Sequence, residues 1–476
     1  MKYDWLPFPL PQVFKVVDPK DFGLSTAGPL ELSRGPDLKL QISLCADGRC
    51  ALNTGVPGTE WGTTPINVLT KSGQPGILDG FRRSQCSTVT EDDRTQTRIV
   101  GLAESLSITL DRREALAIVE WLTNIPHLLW TRSTERTNTV VTARCREGSV
   151  AEDRMSDKSL SCDHIEFQLE LPTLSKIRIG TAPLGCVTEG VPIEQPGFVE
   201  YYAGPLGLPD EHLRHTVRRA FEFLFGAGLG VLGYSEVDQA CTPLRVCMRS
   251  PYTAGGFGGS QRPALLHESY RDGLDEKLVS RLVQRYVEGE SEYDLNRAIW
   301  LYLHAKNAPL EMAAGYVGAA FEVLRRGYYE HSENEPRSRL FPAPQWAAIA
   351  QKLGDAITAS EHFQDCKDFT DKLTHLRNRL PGLNAVSGSR LNELFLSDLG
   401  LKFGAIEKVA LAARNDAAHA NEFAPDEGFE KLQAYRAAHT LFARCLLAIL
   451  GGQVRYFDYS SRDYPDRDLS EAQGSP

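Results

Sequence analysis

Residues 411–419 read Leu411-Ala-Ala-Arg-Asn-Asp-Ala-Ala-His419 and lie near the end of an apolar helical pattern close to the C-terminus. The stretch combines an arginine, a polar residue directly after it, and a histidine five positions further on. Histidine exchanges protons near neutral pH because its unperturbed pKa is about 6.5, and arginine is a permanent cation that pairs with phosphate oxygens. The stretch therefore offers a base and an anion-stabilising group, which metal-free cleavage of RNA requires.

The spacing of this arginine and histidine has a geometric consequence. On a regular helix, a five-residue step leaves Arg414 and His419 about 140° apart around the axis. They can converge on one phosphate only if the helix ends or bends between them, or if a second copy of the chain supplies partners. Pro425 and Gly428 follow closely, and both residue types stop helices. We therefore expect the helix to end at the motif.

An arginine and a histidine with four to six residues between them are a weak signal by themselves. The same spacing also occurs at Arg262/His267, Arg297/His304, and Arg325 or Arg326 with His331. Three features favour residues 414–419: Asn415 directly after the arginine, small alanines before the histidine, and a position between the last two long helical patterns. The alternative interpretation is a helix-terminal arginine and histidine that only cap carbonyl groups.

The C-terminal part of the chain has the periodicity of an all-α bundle. From about residue 275, apolar residues recur at three- and four-residue steps. The stripes are Leu278/Leu282/Tyr286, Leu310/Val317/Phe321/Leu324, Trp346/Ile349/Leu353/Ile357, Phe369/Leu373/Leu376/Leu380 and Phe403/Ile406/Val409/Ala413. Residues 429–450 supply a closing helix.

The N-terminal part has the alternation of β-strands with one buried face. Strands are predicted around residues 38–44, 106–110, 139–142 and 165–171. Asp111 with Glu114 resembles a capping box, which predicts a helix from there through Leu122. The fold class is therefore α+β, with a strand-rich mixed N-terminal region followed by an all-α helical bundle.

An amphipathic helix is predicted after Pro209. Leu213, Val217, Phe221 and Leu224 form its apolar stripe, and Gly226 ends it. Arg214, Arg218 and Arg219 lie largely off that stripe. They are candidate RNA-binding residues, although a solvated helix face is the commoner explanation of such arginines.

These patterns divide the chain into four parts. We predict a mixed strand-rich N-terminal domain at 1–205, a candidate sensor, and a helical and loop connecting region at 206–270. A helical domain follows at 275–455, and a flexible tail occupies 456–476. At 476 residues, the chain is too long for one ordinary core.

Composition excludes several classes of protein. The chain is 42% apolar and 24% charged, as in ordinary globular proteins, and no apolar run reaches the about 18–20 residues of a membrane span. The N-terminus lacks the apolar segment of a signal peptide, so we expect a cytoplasmic protein without a membrane partner. The formal net charge of −10 argues against a protein that coats nucleic acid non-specifically.

The ten cysteines predict neither a metal site nor a disulfide framework. No Cys-x-x-Cys occurs, and the closest pairs, Cys45/Cys50 and Cys241/Cys247, lack the usual zinc spacing. His212/His215 and His362/Cys366 have helical spacing, but neither has an obvious second pair of ligands. We therefore expect reduced, structural cysteines, with no metal and no cofactor.

The motif of Arg414, Asn415 and His419, here called the Arg-His motif, resembles that of the HEPN superfamily. HEPN helical domains carry an arginine, a polar residue and a histidine at this point, and the likeness covers about residues 275–455. A mixed N-terminal region before such a domain is similar in layout to ApeA-type abortive-infection proteins of bacterial antiviral defence. Where the family often has glycine after the histidine, this chain has Ala420.

The resemblance implies a metal-independent endoribonuclease that acts as a homodimer through the helical domain, with the two motifs at the interface. It implies catalytic roles for Arg414, Asn415 and His419, a supporting acid at Glu322, and products with 2′,3′-cyclic phosphate ends. The expected partners are RNA, with tRNA one candidate, and a phage-derived trigger.

Two other classes of function stay open. One is a non-catalytic HEPN-like module that binds RNA, a nucleotide or a partner protein, or that serves for dimerisation. The other is a purely structural helical domain behind a ligand-sensing N-terminal region. Incubation with RNA in the presence of a chelator separates the enzyme from the binding module.

Overall fold

A computed structural model shows two compact units, Met1–Gln284 and Arg285–Pro476. It describes residues 12–22, 24, 26, 28–35, 37–47, 65–91, 94–125, 132–137, 140–145, 150–153, 161–181, 197–239, 242–251, 275–331, 338–359, 368–402, 404–418, 427–452 and 454–473. The first unit is rich in strands and the second is mainly helical. The predicted α+β class, with strands first and helices after them, is confirmed at this level.

The first unit contains a large antiparallel sheet and one long helix that packs on it. Its strands are β1 (Gln12–Val16), β2 (Pro29–Arg34), β3 (Leu40–Asp47), β4 (Ile66–Thr70), β5 (Pro75–Asp79), β6 (Arg82–Glu91), β7 (Arg94–Ala103), β8 (Ser105–Thr109), β9 (Ala117–Thr123), β10 (Arg132–Thr137), β11 (Val140–Cys145), β12 (Val150–Asp153), β13 (Ser161–Leu171), β14 (Leu174–Thr181), β15 (Gly197–Ala203), β16 (Gly230–Val237) and β17 (Pro243–Arg249). Helix α1 (Glu211–Phe225) lies between β15 and β16 in the sequence.

Antiparallel pairings connect all these strands. From one end to the other they run β6-β7-β3-β2-β1-β4-β5-β8-β17-β16-β9-β15-β14-β13-β10-β11-β12. The predicted strands around residues 38–44, 106–110, 139–142 and 165–171 coincide with β3, β8, β11 and β13 and are confirmed. The alternating faces of β2, β3 and β7 fill one core, which includes Leu32, Ile42 and Ile99.

The predicted helix from Asp111 through Leu122 is wrong. Residues 117–123 form β9, which pairs with β15 and β16 along its two edges and is buried along its whole length. A strand buried on both faces shows no polar alternation, so periodicity does not identify it. The Asp111 carboxylate accepts hydrogen bonds from the amides of Arg112 and Arg113 and holds a local turn instead of a helix start.

Helix α1 begins and ends where the sequence predicts. Asp210 is the N-cap, and its side chain accepts a hydrogen bond from the amide of Leu213. Gly226 is the C-cap with φ 62°, the left-handed conformation that glycine adopts without strain. The strands that follow, β16 and β17, belong to the sheet. The prediction of a separate helical and loop connecting region at 206–270 is therefore wrong for the described residues 206–239 and 242–251.

The second unit is built from helices and a short hairpin. The helices are α2 (Glu276–Tyr293), which contains the boundary between the units, α3 (Leu295–Ala305), α4 (Leu310–His331), α5 (Ala343–Thr358), α6 (Phe369–Arg379), α7 (Gly388–Asp398), α8 (Ala405–Ala418) and α9 (Gly428–Ile449). The hairpin pairs β18 (Arg455–Phe457) with β19 (Asp466–Asp468). The predicted helical periodicity of this region is confirmed. No helix among the described residues has the length and apolarity to cross a lipid bilayer.

Two details of the second unit differ from the prediction. Val409 of the predicted stripe is 55% exposed, and the buried side of α8 carries Glu407 and Ala410 together with Ala413 of that stripe. The segment 456–476 was predicted as a flexible tail, but Tyr456, Phe457 and other residues of its described part, 456–473, are buried. That prediction is wrong for those residues, because they pack on the helices.

The first unit should lose stability in mild acid because of His215 on α1. Burial, with Arg219 and Arg218 nearby, lowers the pKa of His215 from 6.5 to about 4. The unfolded chain binds this proton near pH 6.5, whereas the folded chain excludes it until about pH 4. The free energy of unfolding should therefore fall as the pH falls through that window.

Denaturant unfolding of the full chain, followed at pH 7.0, 5.5 and 4.5, measures this effect. A His215→Gln variant should show a smaller decrease in stability between pH 7.0 and 4.5. The exposed His212 on the same helix provides the matched control, and His212→Gln should keep the wild-type decrease. An unchanged pH dependence in His215→Gln would contradict the assignment.

Candidate functional site

The Arg-His motif lies at the C-terminal end of α8. The backbone of Arg414 and Asn415 is helical, and the helix continues to Ala418, the last residue before the gap in the described residues. The structure does not describe the side chains of Arg414 and Asn415, and His419 lies outside the described residues. The expected end of the helix after the motif also falls on residues 419–426, outside that part.

The middle of α8, at Lys408 and residues 410–412, lines a cavity of about 750 Å³ in the helical unit. Helices α4, α7, α8 and α9 all contribute to its walls. Its polar side chains come from α4, α7 and α8, and its apolar floor from α4 and α9. The polar lining comprises Glu322, Arg325, Ser389, Asn392, Glu393 and Lys408.

Glu322, the predicted supporting acid, lines this cavity from α4. Its side chain is 42% exposed, and one carboxylate oxygen lies 3.9 Å from Nη2 of Arg325, one turn further along the same helix. Arg325 is held more firmly, because Nη1 donates to Oδ1 of Asn392 and to the carbonyl of Gly388. Glu322 thus faces an accessible cavity and has the Arg325 guanidinium beside it.

Helix α8 presents the same side to the cavity along successive turns. Lys408, Leu411 and Ala412 line the cavity. At about 100° per residue, the backbone position of Asn415 falls between those of Leu411 and Lys408 around the helix axis, whereas that of Arg414 lies about 60° outside the arc from Leu411 to Ala412. Asn415 lies about 6 Å beyond Leu411 along the helix axis. The backbone position of Asn415 is therefore on the side of α8 that faces the cavity.

A buried ion pair fixes α8 against α9. Glu407 and Arg444 are both fully buried, with Arg444 Nη1 2.7 Å from Glu407 Oε1. The amides of Gln473 and Gly404 also donate to the Glu407 carboxylate, at 2.8 and 2.9 Å. Sequence reasoning missed this pair, although a signal was present: Arg444 is a single charge within the apolar run that closes the helical domain.

The other pairs with similar spacing do not form a comparable arrangement in the described residues. On α3, Nδ1 of His304 donates to the carbonyl of Trp300 at 2.8 Å, and the two rings lie 4.0 Å apart. Arg297 lies near Asp294, at 3.8 Å. The pair Arg262/His267 and the side chain of His331 lie outside what the structure describes.

The candidate RNA-binding arginines of α1 belong instead to the interior of the first unit. Nε of Arg214 and Nη1 of Arg218 donate to the two carboxylate oxygens of Glu120 on β9, and all three residues are buried. Burial raises the pKa of Glu120, but Arg218 and Arg214 outweigh that effect and hold it below its usual range. Arg219 pairs with Glu222 at 2.6 Å.

The prediction that Arg214, Arg218 and Arg219 bind RNA therefore does not agree with the structure. Helical periodicity predicts which residues lie off the apolar stripe, but it does not show that a carboxylate on a distant strand covers them. Their positive charges are already matched by buried acids, so a phosphate would have to displace an internal partner.

Within the described part of the chain, no group of three or more His, Cys, Asp and Glu side chains is placed to hold a metal ion. No family model, curated protein or solved structure matches the chain.

Proposed function

We propose that this chain is a metal-independent endoribonuclease of the HEPN type that acts in bacterial antiviral defence by abortive infection. The observation that carries the proposal is that Glu322 and residues of α8, the helix that bears the motif, line one cavity. A phage-derived trigger would account for an acidic protein that does not bind RNA indiscriminately.

In the proposed reaction, His419 takes the proton of a ribose 2′-hydroxyl, and that oxygen attacks the adjacent phosphorus. Arg414 stabilises the negative charge that builds on the phosphorane, and Asn415 holds the histidine or a phosphate oxygen by hydrogen bonding. The bond from phosphorus to the 5′-oxygen breaks, and the partner subunit's His419 protonates the leaving oxygen. The products carry a 2′,3′-cyclic phosphate and a 5′-hydroxyl.

Cleavage should survive the removal of divalent ions, because the proposed reaction uses only protein side chains. Purified full-length protein incubated with total RNA and with tRNA in excess EDTA should give products with 2′,3′-cyclic phosphate ends. Strict dependence on magnesium or manganese would contradict the proposal. Binding of RNA without cleavage in any buffer would instead favour the non-catalytic binding module.

A homodimer is the second expectation of the proposal, because one motif supplies one titratable base while cleavage needs both a base and an acid. A two-fold contact brings the same surface of each subunit together and supplies both. Two large apolar side chains lie exposed on the helices that flank the motif: Val409 on α8 is 55% exposed, and Phe429 at the start of α9 is 68% exposed. We expect them to contribute to that contact.

Sedimentation velocity should therefore show a dimer for the wild type. Val409→Glu should weaken it, because a charge on each subunit would then be brought into the contact. Leu353→Glu provides a matched control on α5, where Leu353 is 38% exposed, and it should leave the dimer intact. A monomer that cleaves RNA at the same concentration would contradict the model.

A further inference from the structure

The cavity beside α8 has a floor suited to a flat apolar group. Val317 and Phe321 of α4 and Leu441 of α9 line it, and all three are buried. The Phe321 ring is held edge-to-face against Phe395, with ring centroids 5.4 Å apart. The volume of about 750 Å³ lies within the about 300–1,000 Å³ of pockets that enclose small ligands. One nucleotide of an RNA chain belongs to this size class.

The polar side chains that line the cavity determine which chemical groups of a ligand they can contact. Glu322 and Glu393 present carboxylates, which only accept hydrogen bonds when ionised. Lys408 presents an ammonium group from α8. Arg325 is bound to Asn392 and Gly388, so its main role is to fasten α4 to α7. Glu393 also pairs with Arg390 at 2.8 Å, so the cavity presents both carboxylates and cations to a ligand.

We infer that this cavity selects the base of one nucleotide of the RNA substrate and prefers bases that carry an exocyclic amino group. The inference rests on the proposed function and adds a substrate preference to it. Amino groups of adenine, guanine and cytosine can donate to the carboxylates, as cytosine does to acidic side chains in nucleic-acid complexes. Uracil has no amino group, and the single donor on its pairing edge, N3–H, lies between two carbonyl oxygens that the carboxylates repel.

The position of the cavity relative to the motif supports this role. Lys408 and Leu411 line it on the same helix that carries Arg414 and Asn415, and Asn415 lies about 6 Å beyond Leu411 along the helix axis. A base in the cavity would thus belong to a nucleotide close to the phosphate that is cut. We assign the phosphate of the selected nucleotide to the ammonium group of Lys408, a contact that does not depend on the base.

Isothermal titration of the full chain with AMP, GMP, CMP and UMP tests the inference without requiring cleavage. UMP should bind at least about tenfold more weakly than the tightest of the other three, since one good base contact is worth about that factor. Glu393→Gln should reduce this difference, because an amide can also donate to a carbonyl oxygen. Lys408→Glu should weaken the binding of all four nucleotides, and Lys352→Glu on α5 should not change the binding of any of them.

Equal affinity for all four nucleotides, or affinities that Lys408→Glu leaves unchanged, would overturn the inference. A short RNA with 2′-O-methyl groups, which cannot be cut, distinguishes a base of the RNA substrate from a free mononucleotide as the ligand of the cavity. Displacement of the bound mononucleotide by this RNA supports selection of a substrate base, and simultaneous binding of both would contradict it. Since these measurements need no reaction, an inactive protein that shows the predicted selectivity would refute only the proposed function.

Discussion

Glu407→Ala should lower the free energy of unfolding of the helical unit by about 3–5 kcal/mol, the usual cost of removing one partner of a buried ion pair. The substitution leaves the Arg444 guanidinium fully buried without its carboxylate. It also removes the acceptor of the Gln473 and Gly404 amides. Desolvation of these groups is not recovered elsewhere, so the loss should exceed that of an ordinary surface substitution.

Equilibrium denaturation of the full chain, with a helix signal as the probe, measures this loss. Glu393→Ala is a matched control, because Glu393 forms an ion pair of similar length, 2.8 Å with Arg390, on the surface of α7. That exposed pair should contribute at most about 1 kcal/mol. A loss for Glu407→Ala no larger than that of the control would contradict the structural role of the buried pair.

The same pair explains why the end of the chain was not predicted correctly. Residues near 456–476 are polar in sequence and resemble a loose tail. In the structure, the amide of Gln473 donates to Glu407, and its side-chain amide donates to the carbonyl of Ala437. The partner of the segment lies 66 residues away in the sequence, and local composition carries no information about such a contact.

Prediction was most successful where one periodicity applied to a whole element. The alternation in β3 and β13 and the stripe and caps of α1 reflect one buried face each, so the sequence pattern and the structure agree. It failed for β9, where both faces are buried, and for Arg214 and Arg218, whose partner Glu120 lies 94 and 98 residues away. These wrong predictions share a cause, because partners distant in the sequence decide whether a residue is buried.

For the candidate site, the sequence identified Glu322 and the motif helix but not the cavity between them. Glu322 stood out only through the family resemblance, since an acid on an amphipathic helix is ordinary. The cavity is formed by four helices, and its lining residues range from Val317 to Leu441 in the sequence, so its existence follows from packing. The sequence could therefore predict the chemistry of the motif but not the space into which a substrate would fit.

Replacing His419 or Arg414 by alanine should reduce RNA cleavage by about 10²–10⁴-fold, the usual contribution of a positioned acid–base group or of electrostatic stabilisation of the transition state. Arg414 lies near the end of α8, and both variants should keep the wild-type circular dichroism spectrum and dimer mass. His304→Ala is the control, because it removes the histidine of another arginine–histidine pair with similar spacing, Arg297/His304.

The single-turnover rate of RNA cleavage in EDTA for the wild type, His419→Ala and His304→Ala tests the catalytic role of His419. We expect His419→Ala to lose about 10²–10⁴-fold in rate and His304→Ala to retain the wild-type rate. Cleavage by His419→Ala at the wild-type rate would contradict the assignment of the Arg-His motif as the catalytic centre.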